Sequence, residues 1–261
     1  MATTQPSSGV LVLLEWSFSP ADYFEAPIST TRADYEMTIY SGKTVARIEA
    51  ATFDAKPSMR ESLHESLRSR FLAVQLLMHR PFELAKPTTI RLHPDGRRDI
   101  SLELKGVQIT VTGGTVDVRI TDKDGNVVVD SKFDRIERKE TLGELVAAHR
   151  ASDSVLTALL KSYEAGVRDP NNELVHLYEI RDALAARSGG DREARVVLGI
   201  SAPVWSRFGV LCNVEPVRQG RHRGKSGTAL RDATEEELVE ARNIARNMIE
   251  AYLCRLGACA T

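Results

Sequence analysis

The chain has 261 residues, 35 basic and 36 acidic side chains, and a formal net charge of −1. Hydrophobic residues make up 42% of it and charged residues 27%, a composition typical of globular domains that disfavours disorder, collagen-like repeats and coiled-coil rods. The balanced charge argues against a protein that coats nucleic acid with its whole surface. It does not exclude a local basic patch.

Alternating apolar and polar residues dominate the chain from Val10 to about Asp130 and predict an antiparallel β-sheet. Residues 35–40 and 44–48 alternate on either side of Ser41-Gly42, as in a β-hairpin. One long helix is predicted to interrupt the sheet at residues 58–79, where apolar residues recur every three or four positions. Gly, Asp and Asn turn residues separate further predicted strands at 89–92, 100–104, 107–111, 116–120 and 127–129.

Helical periodicity replaces the alternation after Asp130. Two capping boxes, Thr141 with Glu144 and Thr234 with Glu237, predict the starts of the first and last helices of this region. Between them we expect a helix ending before Asp169-Pro170 and others at about 172–187, 191–198 and 202–212. The sequence therefore predicts an α+β protein: an antiparallel sheet with one long helix in residues 1–140, then an all-α helical bundle in residues 141–261.

The cysteines and the N-terminal residues help to predict the cellular compartment of the protein. Three cysteines, an odd number, lie in the C-terminal fifth of the chain and suit a reducing environment better than a disulfide framework. The apolar run at residues 10–14 is too short for a signal-peptide core or a membrane span. We expect a cytoplasmic protein without a membrane partner.

The segment 218–231 holds five basic residues, one histidine and no acid. Guanidinium groups donate bidentate hydrogen bonds to phosphate, and its three glycines allow close approach of the backbone to a ligand. The segment is therefore predicted to bind nucleic acid or another phosphate-bearing ligand. The alternative is a solvated loop whose arginines pair with carboxylates of the bundle. The candidate binding residues are Arg218, Arg221, Arg223, Lys225 and Arg231.

Three other patterns suggest particular chemistry. Residues 220–226 are one residue short of a phosphate-binding P-loop and follow a poor strand, which argues against nucleotide hydrolysis. The pairs Glu61/His64 and Glu173/His176 have the spacing of di-iron bundles, but they lie in different predicted domains, so we expect neither a metal nor a cofactor. Residues 191–212 fit a helix-turn-helix that reads DNA, and equally a short helical hairpin with Trp205 and Phe208 packed inward.

The C-terminal region combines a helical bundle that has an acidic inner helix, residues 173–182, with an Arg/His site at residues 218–222 ahead of the final helix. This combination weakly resembles the HEPN superfamily. It covers about residues 141–256, and the N-terminal region matches no family that we can name. Members of the superfamily are dimers, and the active ones are metal-independent endoribonucleases.

The resemblance implies a mechanism in which RNA supplies its own 2′-hydroxyl nucleophile. His222 would transfer the proton, Arg221 or Arg218 would stabilise the phosphorane, and Glu179 would orient the histidine. Three residues separate Arg218 from His222, whereas the family pattern has four to six, and inactive members that bind only nucleotides or partners are known. Two alternatives to a ribonuclease therefore remain: a non-catalytic interaction or dimerisation module, and a helix-turn-helix DNA-binding protein.

Overall fold

The computed structural model describes residues 9–95, 97–101, 119–121, 127–221 and 229–257. An antiparallel sheet precedes a series of helices, which confirms the predicted α+β class. The chain divides into two compact units: a sheet unit, Met1–Arg68 with Phe82–Glu140, and a helical unit, Ser69–Pro81 with Thr141–Thr261. Among the helices described, none combines the length and apolar character that crossing a membrane requires.

The sheet unit is built around strand β1, which pairs with β4 on one side and β6 on the other. The strand order is β2-β3-β4-β1-β6-β7, β5 pairs with the end of β1, and every pair in this sheet is antiparallel. Alternate residues of β1, β3 and β4 are buried, so the predicted period of two reflects a sheet with one covered face. The strands are β1 (Leu11–Ser19), β2 (Ile28–Thr31), β3 (Glu36–Tyr40), β4 (Lys43–Glu49), β5 (Glu83–Leu84), β6 (Thr88–Leu92) and β7 (Arg98–Ser101).

The predicted hairpin at residues 35–48 is confirmed by the β3–β4 pair, and its turn depends on Gly42. Gly42 has φ +72°, a conformation that glycine adopts without steric cost. Among the described residues, β8 (Arg119–Thr121) pairs with β9 (Val127–Asp130) in a sheet separate from the first. The predicted strand at 107–111, and parts of those at 100–104 and 116–120, lie outside the described residues.

Two helices follow the first four strands. Helix α1 spans Ala50–Ala55, and α2 spans Met59–Met78, which confirms the long helix predicted at residues 58–79. Leu63 and Leu67 of α2 are buried. Trp16 Nε1 of β1 donates a hydrogen bond to His64 Nδ1 of α2 at 3.1 Å, and burial lowers the pKa of His64. This histidine, a member of one Glu-x-x-His pair, is thus engaged in the core of the sheet unit.

The described residues after β9 are mostly helical, and the first helix begins earlier than its predicted capping box. Helix α3 begins at Ser131, ten residues before Thr141, so the prediction of a helix start at Thr141 and Glu144 is wrong. Asp130 Oδ1 accepts a hydrogen bond from the Phe133 amide at 3.0 Å. Asp130, and not Thr141, therefore caps the N-terminus of α3. The helices are α3 (Ser131–His149), α4 (Ser154–Arg168), α5 (Glu173–Ser188), α6 (Asp191–Leu198), α7 (Ala202–Gly209) and α8 (Glu235–Gly257), and a π-helical turn follows α7 at Val210–Val214.

The final helix, α8, matches its sequence prediction. The Glu237 amide donates to Thr234 Oγ1 at 3.3 Å, and the Thr234 amide donates to Glu237 Oε2 at 2.8 Å. These reciprocal bonds confirm the predicted capping box, which satisfies two amides that the helix leaves unpaired. The apolar side of α8 is buried, with Ile244, Met248 and Ile249 at its centre.

An ionic cluster in the sheet unit holds the loop after β1 to α3. Arg135 donates to both carboxylate oxygens of Glu25, from Nε at 2.8 Å and from Nη2 at 2.5 Å, and the buried Lys139 also bonds to Glu25. The hydrogen bonds from Arg135, together with Lys139, outweigh burial and lower the pKa of Glu25 to about 2. A carboxylate whose folded pKa is depressed stabilises the fold above its unfolded pKa, and that stability is lost as pH falls towards 2.

We predict that Glu25→Gln lowers the free energy of unfolding by about 2 kcal/mol at pH 7, because Lys139 loses its counter-charge. The difference from the parent protein should shrink when urea unfolding is measured at pH 3, where Glu25 protonates on unfolding. Glu36→Gln on β3 is the control and should change stability by less than about 0.5 kcal/mol. A difference that does not depend on pH would contradict the assigned role of the carboxylate.

Candidate nucleic-acid interface

The described ends of the basic segment are tied to the helical unit through the main chain. The Arg218 amide donates to the Arg231 carbonyl at 2.9 Å, and the Arg231 amide donates to the Pro216 carbonyl at 3.1 Å. The Arg221 amide donates to the carbonyl of Cys212 at 3.0 Å. The backbone thus fixes where these three arginines emerge. Three candidate residues, His222, Arg223 and Lys225, lie outside the described residues.

Each of the three described arginines has a carboxylate partner in the helical unit. Arg218 lies 3.6 Å from Asp232, and Arg221 Nη1 donates to Asp182 at 2.6 Å. Arg231 contacts Glu237 at 2.6 Å and Glu215 at 3.3 Å. Hydrogen bonds from Arg231 lower the pKa of Glu237 to about 2. These pairs are the contacts that the solvated-loop interpretation of the segment expects.

Arginines and aromatic rings form a stack beside the segment, which we call the Tyr178 stack: Tyr178, Arg181, Trp205 and Arg221. The Arg221 guanidinium lies 5.0 Å from the Tyr178 ring centroid. That of Arg181 lies 5.3 Å from Tyr178 and 5.1 Å from Trp205, distances at which cation–π attraction operates. The stack links α5, α7 and the basic segment.

Two details hold Arg181 in the stack. Its Nη2 donates to Asp191 at 2.6 Å, and Gly209 leaves room for the guanidinium, because a Cβ at that position would overlap Arg181 Nη1. The buried Trp205 is in contact with this cation. We therefore assign Arg181 a structural role in holding the stack together. Arg221 lies at the exposed end of the same stack.

The carboxylate in contact with Arg221 is Asp182, which the sequence analysis did not single out. Glu179, the predicted orienting residue, lies one turn away and accepts a hydrogen bond from Ser162 Oγ at 2.9 Å. Tyr178 and Asp182 occupy the i and i+4 positions of α5, so both lie on one side of the helix. This i, i+4 spacing is the feature of the sequence from which Tyr178 and Asp182 could have been predicted to share a site.

A buried carboxylate, Glu173, organises the interior of the helical unit. Its side chain is 2% exposed and accepts a bidentate pair from Arg242, at 2.6 Å from Nε and 2.9 Å from Nη2. His79 Nε2 lies 3.2 Å from the same carboxylate, and its Nδ1 lies 3.3 Å from the Tyr163 hydroxyl. We call these four residues the Glu173 cluster. Burial, the largest single influence, raises the pKa of Glu173, but Arg242 and His79 together hold it below its usual range.

The two side chains of the Glu173/His176 pair have different partners. His176 lies 3.5 Å from Asp169, whereas Glu173 binds Arg242 and His79. In the described part of the chain, no group of three or more His, Cys, Asp or Glu side chains is arranged to hold a metal ion.

Helices α6 and α7 occupy the predicted helix-turn-helix segment and are joined by three residues, including Gly199 at φ +65°. Trp205 and Phe208 are buried, as the helical-hairpin interpretation expects. Arg207, on the exposed side of α7, is held by a bidentate pair with Glu240 at 3.0 and 2.7 Å. DNA reading by α7 stays a hypothesis.

We predict that Glu173→Ala lowers the free energy of unfolding by about 3 to 5 kcal/mol, because it leaves the Arg242 charge partly buried without its partner. Urea unfolding followed by circular dichroism measures the change. Glu179→Ala on the same helix is the matched control and should cost less than about 0.5 kcal/mol. Equal effects of the two substitutions would show that burial and pairing do not distinguish these glutamates.

Comparisons with known proteins identify no family. No family model matches the chain, and neither the curated proteins nor the solved structures contain a significant match.

Proposed function

We propose that the basic segment, together with the exposed end of the Tyr178 stack, binds the phosphate groups of RNA. The observation that carries the proposal is the placement of Arg221. Its backbone is fixed by Cys212, its guanidinium rests on Tyr178, and its side chain is still 45% exposed. Arg218, at 65% exposure, emerges three residues earlier.

The carboxylate partners of Arg218 and Arg221 do not prevent phosphate binding. Both pairs are solvent-exposed, and exposed ion pairs contribute roughly 0 to 1 kcal/mol. A phosphate offers more oxygens and a charge-assisted bidentate geometry, so it competes well for an exposed guanidinium. Arg231 differs because two carboxylates hold it. Arg231 is therefore an anchor of the segment, and Arg218 and Arg221 are its ligand-binding arginines.

The sequence between the anchored ends adds positive charge. Arg223 and Lys225 lie between Arg221 and Arg231, with no acidic residue among them. Each phosphate contact releases counterions from the nucleic acid, so several contacts give binding that weakens steeply with salt. We propose that Arg223 and Lys225 contribute contacts of this kind.

A salt titration tests phosphate binding directly. We expect a labelled single-stranded RNA of 20 nucleotides to bind the protein at low ionic strength, and the affinity to fall as salt is added. The double variant Arg218→Ala, Arg221→Ala should bind more weakly and reduce the slope of log K against log salt by roughly 1 to 2, because two phosphate contacts are lost. Fluorescence anisotropy measures both quantities.

Arg32→Ala is the control for this titration, because it removes one exposed positive charge from the sheet unit. It should leave the slope unchanged. Absence of salt-sensitive RNA binding, or an equal loss with Arg32→Ala, would refute the proposed interface. A DNA of the same length and sequence tests whether the 2′-hydroxyl matters.

Cleavage of the bound RNA is the catalytic extension of this proposal, and the HEPN resemblance supports it. In this mechanism His222 transfers the proton of the 2′-hydroxyl or of the leaving group, while Arg221 or Arg218 stabilises the charge on the phosphorane. Asp182 is the carboxylate in contact with Arg221, so we propose that it keeps that guanidinium in place until phosphate binds.

We predict metal-independent cleavage of single-stranded RNA in the presence of a chelator. His222→Ala should lower the rate by about 10² to 10⁴, the usual contribution of a general acid or base. His93→Ala in the sheet unit is the control and should cleave at the parent rate. Cleavage that survives His222→Ala, or that needs a divalent metal, would exclude this mechanism, and RNA binding without cleavage would leave a non-catalytic binding module.

A further inference from the structure

A small pocket opens on the exposed face of the sheet unit, across the neighbouring strands β3, β4 and β1. Trp16 of β1 faces α2, whereas Leu13 and Glu15 line the pocket, because alternate residues of a strand point to opposite faces. The volume of the pocket is about 290 Å³. Ligand pockets usually occupy roughly 300 to 1,000 Å³, so a ligand for this one must be small.

Two opposite charges line the pocket without pairing. Glu36 of β3 and Arg47 of β4 are direct cross-strand partners, and both are exposed at the pocket. Opposite charges in this register usually attract each other, but in the described part of the chain neither side chain forms an ion pair. The pocket therefore offers an unpaired cation and an unpaired anion on adjacent strands.

A second carboxylate at the pocket is already compensated. Glu15 of β1 pairs with Lys43 at 2.9 Å, and its side chain is 28% exposed. Its charge is therefore balanced within the protein. Glu36 and Arg47 are the two charges that remain for a ligand to match.

Apolar side chains lie beside these two charges. Leu13 of β1 is the cross-strand partner of Arg47, and Val45 lies two residues before Arg47, on the same face of β4. Tyr40, which is 50% exposed, also lines the pocket. The lining thus combines a cation, an anion and an apolar surface within one small volume.

We propose that this pocket binds a free α-amino acid with an aliphatic side chain. Arg47 binds its carboxylate through a charge-assisted pair, Glu36 accepts hydrogen bonds from its ammonium group, and its side chain packs against Leu13 and Val45. An α-amino acid carries both charges on substituents of one carbon, so it matches both residues at once. The proposal is independent of RNA binding, because the proposed RNA interface belongs to the helical unit.

Leucine and two analogues that each lack one charge test whether the pocket requires a zwitterion. We expect leucine to bind the full chain with a dissociation constant on the order of 1 mM, because the pocket is small and exposed. Isocaproate lacks the amino group and isoamylamine lacks the carboxylate, and each should bind at least about tenfold more weakly. Titrations followed by the amide chemical shifts of β3 and β4 measure the three affinities.

Substitutions that remove one charge test the two residues. Arg47→Gln and Glu36→Gln should each raise the dissociation constant for leucine by about tenfold or more. Arg32→Gln and Glu49→Gln are the matched controls, since they remove exposed charges of the same unit outside the pocket, and they should bind leucine like the parent protein. Urea unfolding verifies that all four variants fold.

Three results would each refute the amino-acid site: no saturable binding of leucine, equal binding of a singly charged analogue, or affinity that Arg47→Gln or Glu36→Gln leaves unchanged. RNA binding by Arg47→Gln should equal that of the parent protein. This comparison separates failure of the amino-acid site from failure of the RNA interface.

Discussion

The helical unit depends on one buried ion pair, that of Glu173 with Arg242. Burying a carboxylate costs several kcal/mol unless charges and hydrogen bonds compensate it. Arg242 supplies a bidentate partner from α8, and His79 supplies another from the end of α2. The carboxylate thus joins three segments that lie far apart in the sequence.

His79 shows how strongly the Glu173 cluster constrains the backbone. It has φ +47°, a left-handed conformation that is uncommon for a residue other than glycine. Its ring is held by Glu173 on one side and by the Tyr163 hydroxyl on the other. Two directed bonds to buried partners compensate for a cost of order 1 to 3 kcal/mol in the backbone. The cluster therefore has a structural role, and the exposed Arg221 is the better candidate for contact with a ligand.

Local sequence patterns predicted the helices and strands of the fold, but they could not predict which residues distant in the sequence contact each other. The period of two, the Ser41-Gly42 turn and the Thr234/Glu237 capping box each act over a few residues, and each was confirmed. The start of α3 was missed because Asp130, at the end of a strand, also serves as a helix cap. The partners of Arg221 and Arg242 lie 39 and 69 residues away, so spacing alone could not reveal them.

The first turn of α8 connects the basic segment with the Glu173 cluster. Its three consecutive glutamates stabilise the helix start, where the backbone dipole favours negative charge, but their side chains have different partners. Glu237 holds Arg231 and so anchors the basic segment, and Glu235 pairs with Arg242 of the Glu173 cluster. A short acidic sequence that looks like ordinary helix capping thus holds both the basic segment and the buried cluster, because successive residues on a helix point about 100° apart.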